Sequence, residues 1–512
     1  MWEGLIGVGE FGERDGSGVW ETDVVIVGAG PVGLMLAGEL RLGGVDCVVL
    51  EREAVPVDQS RALGFTARTI EVFDQRGLLP RFGGFGTIDM GHFGGVGLDY
   101  REVEGGSYGA KAVPQSLTVA VLEKWAEELG ARIRRGWEVT EFTEEDKGVV
   151  VEARSAEGAQ VRVRGAFVVG CDGGRSLVRK RAGVEFPGSD AGVEMSFAEV
   201  EGVRVRPRPN GERVAGGMVL CFQQGPERFR VTYYDRAAVP QREVVRPSFE
   251  EVAEAWLRLT GEDISAGRPL WVGRFTDASR QAVTYRRGRV LLAGDAAHVH
   301  LPIGGQGMSA GVQDAVNLGW KLAAEVQGWA PGGLLDSYHE ERHPVGARVL
   351  TNTLAQRTLY LSDDAMDPMR EVFEELTAYE EVRTHLIGMV TGLDIRYEVG
   401  PGDHPLLGRR LPARQLTGPD GTPVEAFTLL HRARGVLLDF TGSTATGGAD
   451  WADRVDTVAV RCTDTAAREL FAGVGAVLVR PDGYVAWVGR EGEPLEGLTE
   501  ALARWFGVPA AA

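Results

Sequence analysis

Cysteine is scarce in this chain: Cys47, Cys171, Cys221 and Cys462 are the only four in 512 residues, and none is spaced as C-x-x-C. That excludes a dithiol redox pair, argues against a disulfide framework and predicts a reducing compartment, the cytoplasm. Cys47 and Cys171 lie in apolar, strand-like runs and read as small buried hydrophobes. Positive charge is also short. Fifty-five Lys and Arg against 73 Asp and Glu leave a net charge of −18, so no nucleic acid and no anionic membrane surface is expected as partner, because both recruit basic patches. No stretch reaches the ~18 uninterrupted apolar residues of a membrane span. Residues 1–20 lack the cationic start and apolar run of a signal peptide and are expected to form a flexible N-terminal tail. No metal is expected either: His298 and His300 have no third His or Cys at ligand spacing, and both read as structural.

Glycine, in contrast, is plentiful at 72 residues, about twice the usual share of ~7%. Two segments concentrate it. The first, Gly28-Ala29-Gly30-Pro31-Val32-Gly33, is entered by the β-branched run 23–27 and followed by an apolar helical stretch to about Leu42. Gly28 permits the tight turn, Gly30 lets the backbone approach a pyrophosphate, and Gly33 lets helix and strand pack closely. The helix start then offers N–H groups and a positive dipole end to the phosphates. A second strand, 45–50, ends at Glu51, at the spacing of a carboxylate that binds the adenosine ribose hydroxyls and disfavours a 2′-phosphate.

The second segment, Gly288 to Gly307, ends a strand in Gly294-Asp295, which sets a carboxylate beside a polyol. It continues as Pro302-x-Gly304-Gly305-x-Gly307, where small residues let a flat ring lie against the backbone. A helix starting near Gly307 aims its positive end at that ring. One motif suits the two phosphates and the other the reactive ring, so together they describe bound FAD rather than a plain nicotinamide dehydrogenase.

The length predicts two or three domains. Residues 21–185 and 271–345 read as a discontinuous, Rossmann-like α/β domain for FAD. The stretch 186–270 lacks glycine fingerprints. There 217–223 and 228–234 flank a turn at Gln224-Gly225-Pro226-Glu227, giving an inserted antiparallel sheet, the substrate domain, that closes over the cofactor. Helices are expected over 66–76, 117–129 and 307–326, strands near 137–143, 149–154 and 161–169, and a further helix stopped by Pro344. Residues 346–399 read as a helical linker. Residues 400–512 read as a separate α/β domain, with strands near 435–440 and 455–461, a hairpin at 475–488 turning on Pro481-Asp482-Gly483, and a final helix.

On these motifs, joined by Asp172-Gly173-x-x-Ser176-x-x-Arg179, the chain resembles the single-component, class A flavoprotein aromatic monooxygenases. Within them it is most similar to the hydroxylases that tailor polycyclic aromatic polyketides such as angucyclines and anthracyclines, over roughly residues 21–505. The resemblance implies that NADPH or NADH reduces FAD, that the reduced flavin captures O2 as a C4a-hydroperoxide, and that one oxygen atom passes to an electron-rich ring of a polycyclic aromatic substrate. It implies FAD contacts at Gly28, Gly30, Gly33, Glu51, Arg52, Gln115, Asp172, Asp295, Pro302, Gly304, Gly305, Gly307 and Met308. Arg61 is expected either to reach the phosphates or flavin edge or to be a surface residue. Ser309 stands where the family commonly has asparagine, and its backbone N–H remains available to the flavin.

The Asp172 signature implies a part in both FAD binding and the passage of NADPH, with Arg179 either organising that groove or supporting the fold. No acid–base residue is identified. Phe222, Tyr233, Tyr234 and Trp271 either line a cavity for a flat polycycle or pack the core. The C-terminal domain resembles the thioredoxin-like appendage of these hydroxylases, without its dithiol, and packing or homodimerisation is its expected role. A Baeyer–Villiger oxygenase, an antibiotic-inactivating oxygenase of the rifamycin type and a flavin-binding scaffold without turnover stay open. A flavin halogenase does not, since W-x-W-x-I-P is missing.

Overall fold

A computed structural model describes residues 19–57, 59, 62–238, 246–442 and 448–509. Its central layer is a six-stranded sheet in the order 286–287, 290–292, 167–170, 24–27, 47–51, 132–135. Val24–Val27 runs parallel to Phe167–Gly170 on one side and to Cys47–Glu51 on the other. These strands are continuous apolar runs because both faces are covered. The helices in chain order are α1 (Pro31–Leu42), α2 (Ala67–Asp74), α3 (Gln115–Glu128), α4 (Leu177–Arg181), α5 (Phe249–Thr260), α6 (Gln306–Gln327), α7 (Ser337–Leu361), α8 (Asp367–Leu376), α9 (Glu380–Thr391), α10 (Thr465–Leu470) and α11 (Leu498–Phe506). Helices α1, α3 and α6 pack together on one face of the sheet, and a four-stranded sheet (19–21, 160–165, 148–155, 137–145) covers the other. None of the described helices is long and apolar enough to cross a membrane.

Three expectations change. Val19–Glu21 is a strand paired with the 160–165 strand, and Trp20 is buried, so order begins before residue 21; residues 1–18 of the expected tail lie outside the described residues. The expected strand 161–169 is two strands. Gln160–Gly165 belongs to the covering sheet and Phe167–Gly170 to the central one. The chain changes sheets at Ala166, whose N–H is held by the Asp23 carbonyl at 2.7 Å, and an apolar period cannot register a change of partner. Pro344 does not stop its helix: α7 continues through it to Leu361. Proline forfeits one backbone bond, but buried Glu341 and Arg342 before it and Asn352 and Gln356 after it anchor the helix on both sides.

The inserted region is a five-stranded antiparallel sheet in the order 208–214, 217–225, 228–235, 194–201, 268–276. Its hairpin turns where expected, and its fifth strand runs across the anticipated boundary at residue 270. Strand alternation gives the sheet two faces. Val219, Cys221, Val231 and Tyr233 pack with Trp256 of α5. Met195, Met218, Leu220, Tyr234 and Phe275 pack on Leu301 and Ile303, beside the second glycine loop. The C-terminal sheet has the order 455–459, 435–439, 474–479, 485–490 and includes the expected hairpin.

Candidate flavin site

The three glycines of the first turn do different work. Gly28 has φ +106°, and a Cβ there would sit 2.5 Å from the Cys171 carbonyl oxygen. A Cβ on Gly33 would sit 2.0 Å from the Gly28 oxygen, whereas one on Gly30 would meet nothing within 4 Å. Gly28 and Gly33 therefore permit packing, and Gly30 faces the open side where a pyrophosphate approaches. Helix α1 begins there with Pro31 at its start, no side-chain cap and no acid in its first turn. The Glu51 carboxylate accepts from the N–H groups of Ala29 (2.8 Å) and Glu53 (3.0 Å), which places it at the rim of the turn. Arg52 is exposed and pairs with Glu53 at 3.3 Å. Gln115, at the start of α3, accepts from the Ala62 N–H at 3.1 Å and so pins the segment after Arg61, which itself lies outside the described residues.

The second turn is held from behind by a group the sequence reading missed. Gly294 adopts φ +61°, and its N–H donates to Asp314 of α6 at 3.1 Å. That buried carboxylate also accepts from His298 Nε2 (2.8 Å) and Arg342 Nε (2.7 Å), and Arg342 reaches the Tyr397 hydroxyl at 2.9 Å. Burial pushes the Asp314 carboxyl up, but Arg342 and His298 outweigh it and hold the group below its ordinary range. The only available signal was an acid among the small and apolar residues of α6. His298 is thus structural, as expected. His300 bonds the Leu301 carbonyl at 2.8 Å, and burial lowers its pKa to about 4, so its ring is neutral at pH 7. Asp295 projects to the surface at the rim of this turn.

After Pro302, Gly304 (φ +71°) and Gly305 (φ +66°) are consecutive left-handed residues, and a Cβ on Gly305 would meet nothing within 4 Å. Helix α6 starts at Gln306, one residue earlier than expected, without a side-chain cap or an acid in its first turn. A flat ring can lie on this loop with the positive helix end at its edge. Gly307 continues the helix under the His300 ring, and Met308 packs toward the main core. Ser309 turns its hydroxyl to the Thr66 N–H at 3.1 Å, tying α6 to α2 rather than facing the cradle.

In the third motif, Asp172 Oδ2 accepts from the N–H groups of Leu177 (2.6 Å) and Val178 (3.1 Å), and Ser176 accepts from the Arg179 N–H (2.9 Å). The signature therefore caps α4. Asp172 Oδ1 is buried without a partner, and Gly173 (φ +79°) has nothing within 4 Å of a Cβ. Arg179 is 4% exposed; it donates to the carbonyls of Ala296 and Gly174, each at 2.9 Å, and lies 3.7 Å over the Phe186 ring. This geometry favours the fold-supporting alternative for Arg179: it ties the Asp172 turn to the Gly294 turn.

Of the four aromatic candidates, Tyr233 faces α5 and packs the core. Strand alternation puts Phe222, Tyr234 and Trp271 on the face turned to the glycine loop, where Trp271 meets Phe197 edge-on at 4.5 Å. A cavity of about 350 Å3 lies elsewhere, lined by Gln306, Ser309, Gln313, Met389, Ile395 and Tyr397; none of Gly28, Glu51, Asp172 or Asp295 lines it. Open glycine faces at both turns, an orphaned buried carboxylate oxygen and an uncapped long helix are together the donor and space set that FAD requires.

Residues 21–353 match a family model described as FAD binding domain, and residues 404–509 one described as aromatic-ring hydroxylase, C-terminal. The chain is 44% identical over 514 residues to the 12-dehydrotetracycline 5-monooxygenase/anhydrotetracycline 6-monooxygenase of Streptomyces rimosus subsp. rimosus, covering 95% of this chain and 99% of that protein. It is 44% identical over 501 residues to the rifampicin monooxygenase of Streptomyces venezuelae, covering 96% and 99%. The crystal structure of CabE, an aromatic hydroxylase from angucycline biosynthesis, superposes with a TM-score of 0.90 at 54% identity, covering 96% of this chain and 100% of CabE. With both halves of the molecule matched, the chain belongs to the FAD-binding aromatic-ring hydroxylases and is a flavoprotein monooxygenase.

Proposed function

We propose that this protein hydroxylates a polycyclic aromatic polyketide, with FAD as cofactor, NADPH or NADH as reductant and O2 as oxidant. The observation that carries the reading is the left-handed Gly304-Gly305 loop lying under the apolar, aromatic face of the antiparallel sheet. Glu51 binds the adenosine ribose, α1 and its glycine turn receive the pyrophosphate, Asp295 binds the ribityl hydroxyls, and the ring rests on Pro302 to Gly305. When bound, FAD supplies the redox chemistry, accepting a hydride from the nicotinamide and passing one atom of O2 to the substrate. The positive end of α6 favours negative charge at the ring edge by ~0.3–2 kcal/mol. The sheet above excludes water and orients a flat substrate. No second complete G-x-G-x-x-G is present, so the nicotinamide docks transiently in a groove instead of in its own domain. The parallel sheet with its glycine turn supports a Rossmann-like assignment, and the C-terminal sheet flanked by α10 and α11 a thioredoxin-like one.

The names of relatives in tetracycline and angucycline chemistry support the substrate class. The rifampicin monooxygenase is as similar as the tetracycline enzyme, which favours antibiotic inactivation as the second reading. One experiment addresses both. Oxygen uptake is measured with NADPH and with NADH over a panel of polycyclic phenols, quinones and rifampicin, followed by mass analysis under 18O2. Product carrying one 18O atom on a polycyclic phenol is expected. Turnover of rifampicin alone would move the role to inactivation, and NADPH oxidation without 18O incorporation into any member would overturn the reading.

A further inference from the structure

Three buried side-chain amides form a file from the hairpin of strands Met90–Phe93 and Val96–Asp99 to the second glycine loop. The Gly94 N–H donates to Gln356 Oε1 (3.3 Å), Gln356 Nε2 to Asn352 Oδ1 (2.8 Å), and Asn352 Nδ2 to Gln306 Oε1 (2.9 Å) and to the Met389 carbonyl (3.2 Å). Gln306, Asn352 and Gln356 are 3%, 1% and 0% exposed. The file ends at Gln306 Nε2, which is buried with no hydrogen-bond partner.

Which way a side-chain amide faces is ordinarily an assignment, but here the backbone dictates it at two points. An N–H can only donate, so Gln356 must turn its oxygen to Gly94 and its NH2 to Asn352. A carbonyl can only accept, so Asn352 must turn its NH2 toward Met389 and, with it, toward Gln306. The Gln306 oxygen is thereby committed, and its NH2 must face away from the file. That NH2 lies at the glycine loop: a Cβ built on Gly304 would be 3.1 Å from Nε2. A buried, unpartnered donor of fixed polarity is costly, and its place beside the ring's seat indicates what satisfies it.

We propose that Gln306 donates through Nε2 to an acceptor atom of the FAD ring, and that Asn352 and Gln356 are positioning residues that hold it in that polarity. The hairpin end of the file thereby acts on the ring without touching it. The proposal rests on the flavin reading of the site, and the experiment separates the two. The full-length protein is loaded with FAD alone, and the ring's carbonyl and C=N bands are read by resonance Raman or infrared difference spectroscopy together with the FAD Kd.

Gln306→Leu is expected to weaken FAD roughly 3–10-fold, the worth of one neutral hydrogen bond, and to move the bands toward those of free FAD. Its apo melting temperature should stay near the parent's, because the deleted N–H had no partner and Asn352 keeps the Met389 carbonyl. Asn352→Leu should move the same bands although the residue reaches no cofactor. Gln306→Glu keeps the size, and its deficit should deepen as pH rises through the carboxyl titration and the donor is lost. If Gln306→Leu does not fold, the Glu variant and the band positions of parent against free FAD decide. Unchanged bands and Kd in the variants, or apo and FAD-loaded forms destabilised equally, would overturn the proposal while leaving the flavin reading intact. A parent protein that does not take up FAD would overturn both.

Discussion

The flavin cradle and the seam between its domain and the C-terminal domain handle buried polarity in opposite ways. The cradle leaves groups unsatisfied: Asp172 Oδ1 and Gln306 Nε2 have no partner, and α1 and α6 start without side-chain caps. At the seam the charges are buried in pairs. Arg480 donates to both Glu341 oxygens (2.5 and 2.8 Å) and to Asp482; Lys321 reaches Glu341 (2.8 Å) and Asn317 (2.9 Å); Asn317 reaches Asp482 (3.1 Å). Alongside, Arg76 pairs with Glu39 (2.6 Å) and donates to the Leu430 and Pro481 carbonyls (each 2.9 Å), and Arg410 pairs with Glu71 (2.6 Å). A site that awaits a ligand tolerates orphaned donors and acceptors because the ligand satisfies them. A permanent seam cannot, since each unpaired buried charge would cost several kcal/mol.

The largest effect is therefore expected away from the chemistry. Glu341→Ala leaves Arg480 and Lys321 buried without their shared acceptor and should cost ~3–5 kcal/mol by urea denaturation. A loss below ~1 kcal/mol would mean that the seam opens to water. The pH dependence has a definite sign. Burial opposes ionisation of Glu341, but Arg480 and Lys321 prevail and bring its pKa from 4.5 to about 2. The unfolded chain thus binds more protons in that window, so this contribution is complete above pH 4.5 and disappears as pH falls toward 2. Burial raises Glu39 and Glu71 instead, despite their arginines, which opposes the trend in the whole protein. The difference between parent and Glu341→Gln isolates the term, and parallel acid profiles would contradict it.

A smaller and selective effect is expected in the cradle. Asp295→Ala removes a surface carboxylate from the ribityl end, and Glu51→Ala removes the one at the adenosine end. Each should weaken FAD roughly 10–100-fold, the worth of a charge-assisted hydrogen bond, as followed by flavin fluorescence. Asp295→Ala should leave the apo protein's melting unchanged. Glu51→Ala should lower it slightly, because the Ala29 and Glu53 N–H groups lose their acceptor. If both variants bind FAD like the parent, the cofactor has been placed in the wrong part of the molecule.

The same contrast explains what could be read in the sequence. The roles of Gly28, Gly30 and Gly33 were legible singly, because each depends on contacts made within one turn or with its neighbouring strands, and both hairpins were legible from their turn residues. Asp172 and Arg179 were located, but their capping and bridging roles depend on the Ala296 carbonyl 117 residues away from Arg179. Asp314 went unnoticed because its partners, His298 and Arg342, come from different elements. The seam was invisible for the same reason: Glu341 and Arg480 are 139 residues apart, and each alone looks like a surface charge. Pro344 misled because local propensity was outweighed by buried contacts on both sides of it.

The smallest expected effect on folding gives the sharpest test of the cradle. Gly30 has φ −76° and ψ 177°, backbone that alanine adopts without strain, and a Cβ there meets no atom within 4 Å. Gly33, three residues on, has no such room. Gly30→Ala should therefore change apo stability by no more than ~0.5 kcal/mol, with a slight gain where the stiffer residue restricts the unfolded chain. The added methyl enters the space through which the backbone would approach the pyrophosphate, so FAD affinity should fall about tenfold or more, as for an overfilled packed contact. Apo melting and FAD titration on one preparation read both numbers. Unaltered FAD binding in a fully folded Gly30→Ala protein would show that the phosphates do not lie against this turn. Lost stability would show instead that Gly30, like its two neighbours in the motif, serves packing.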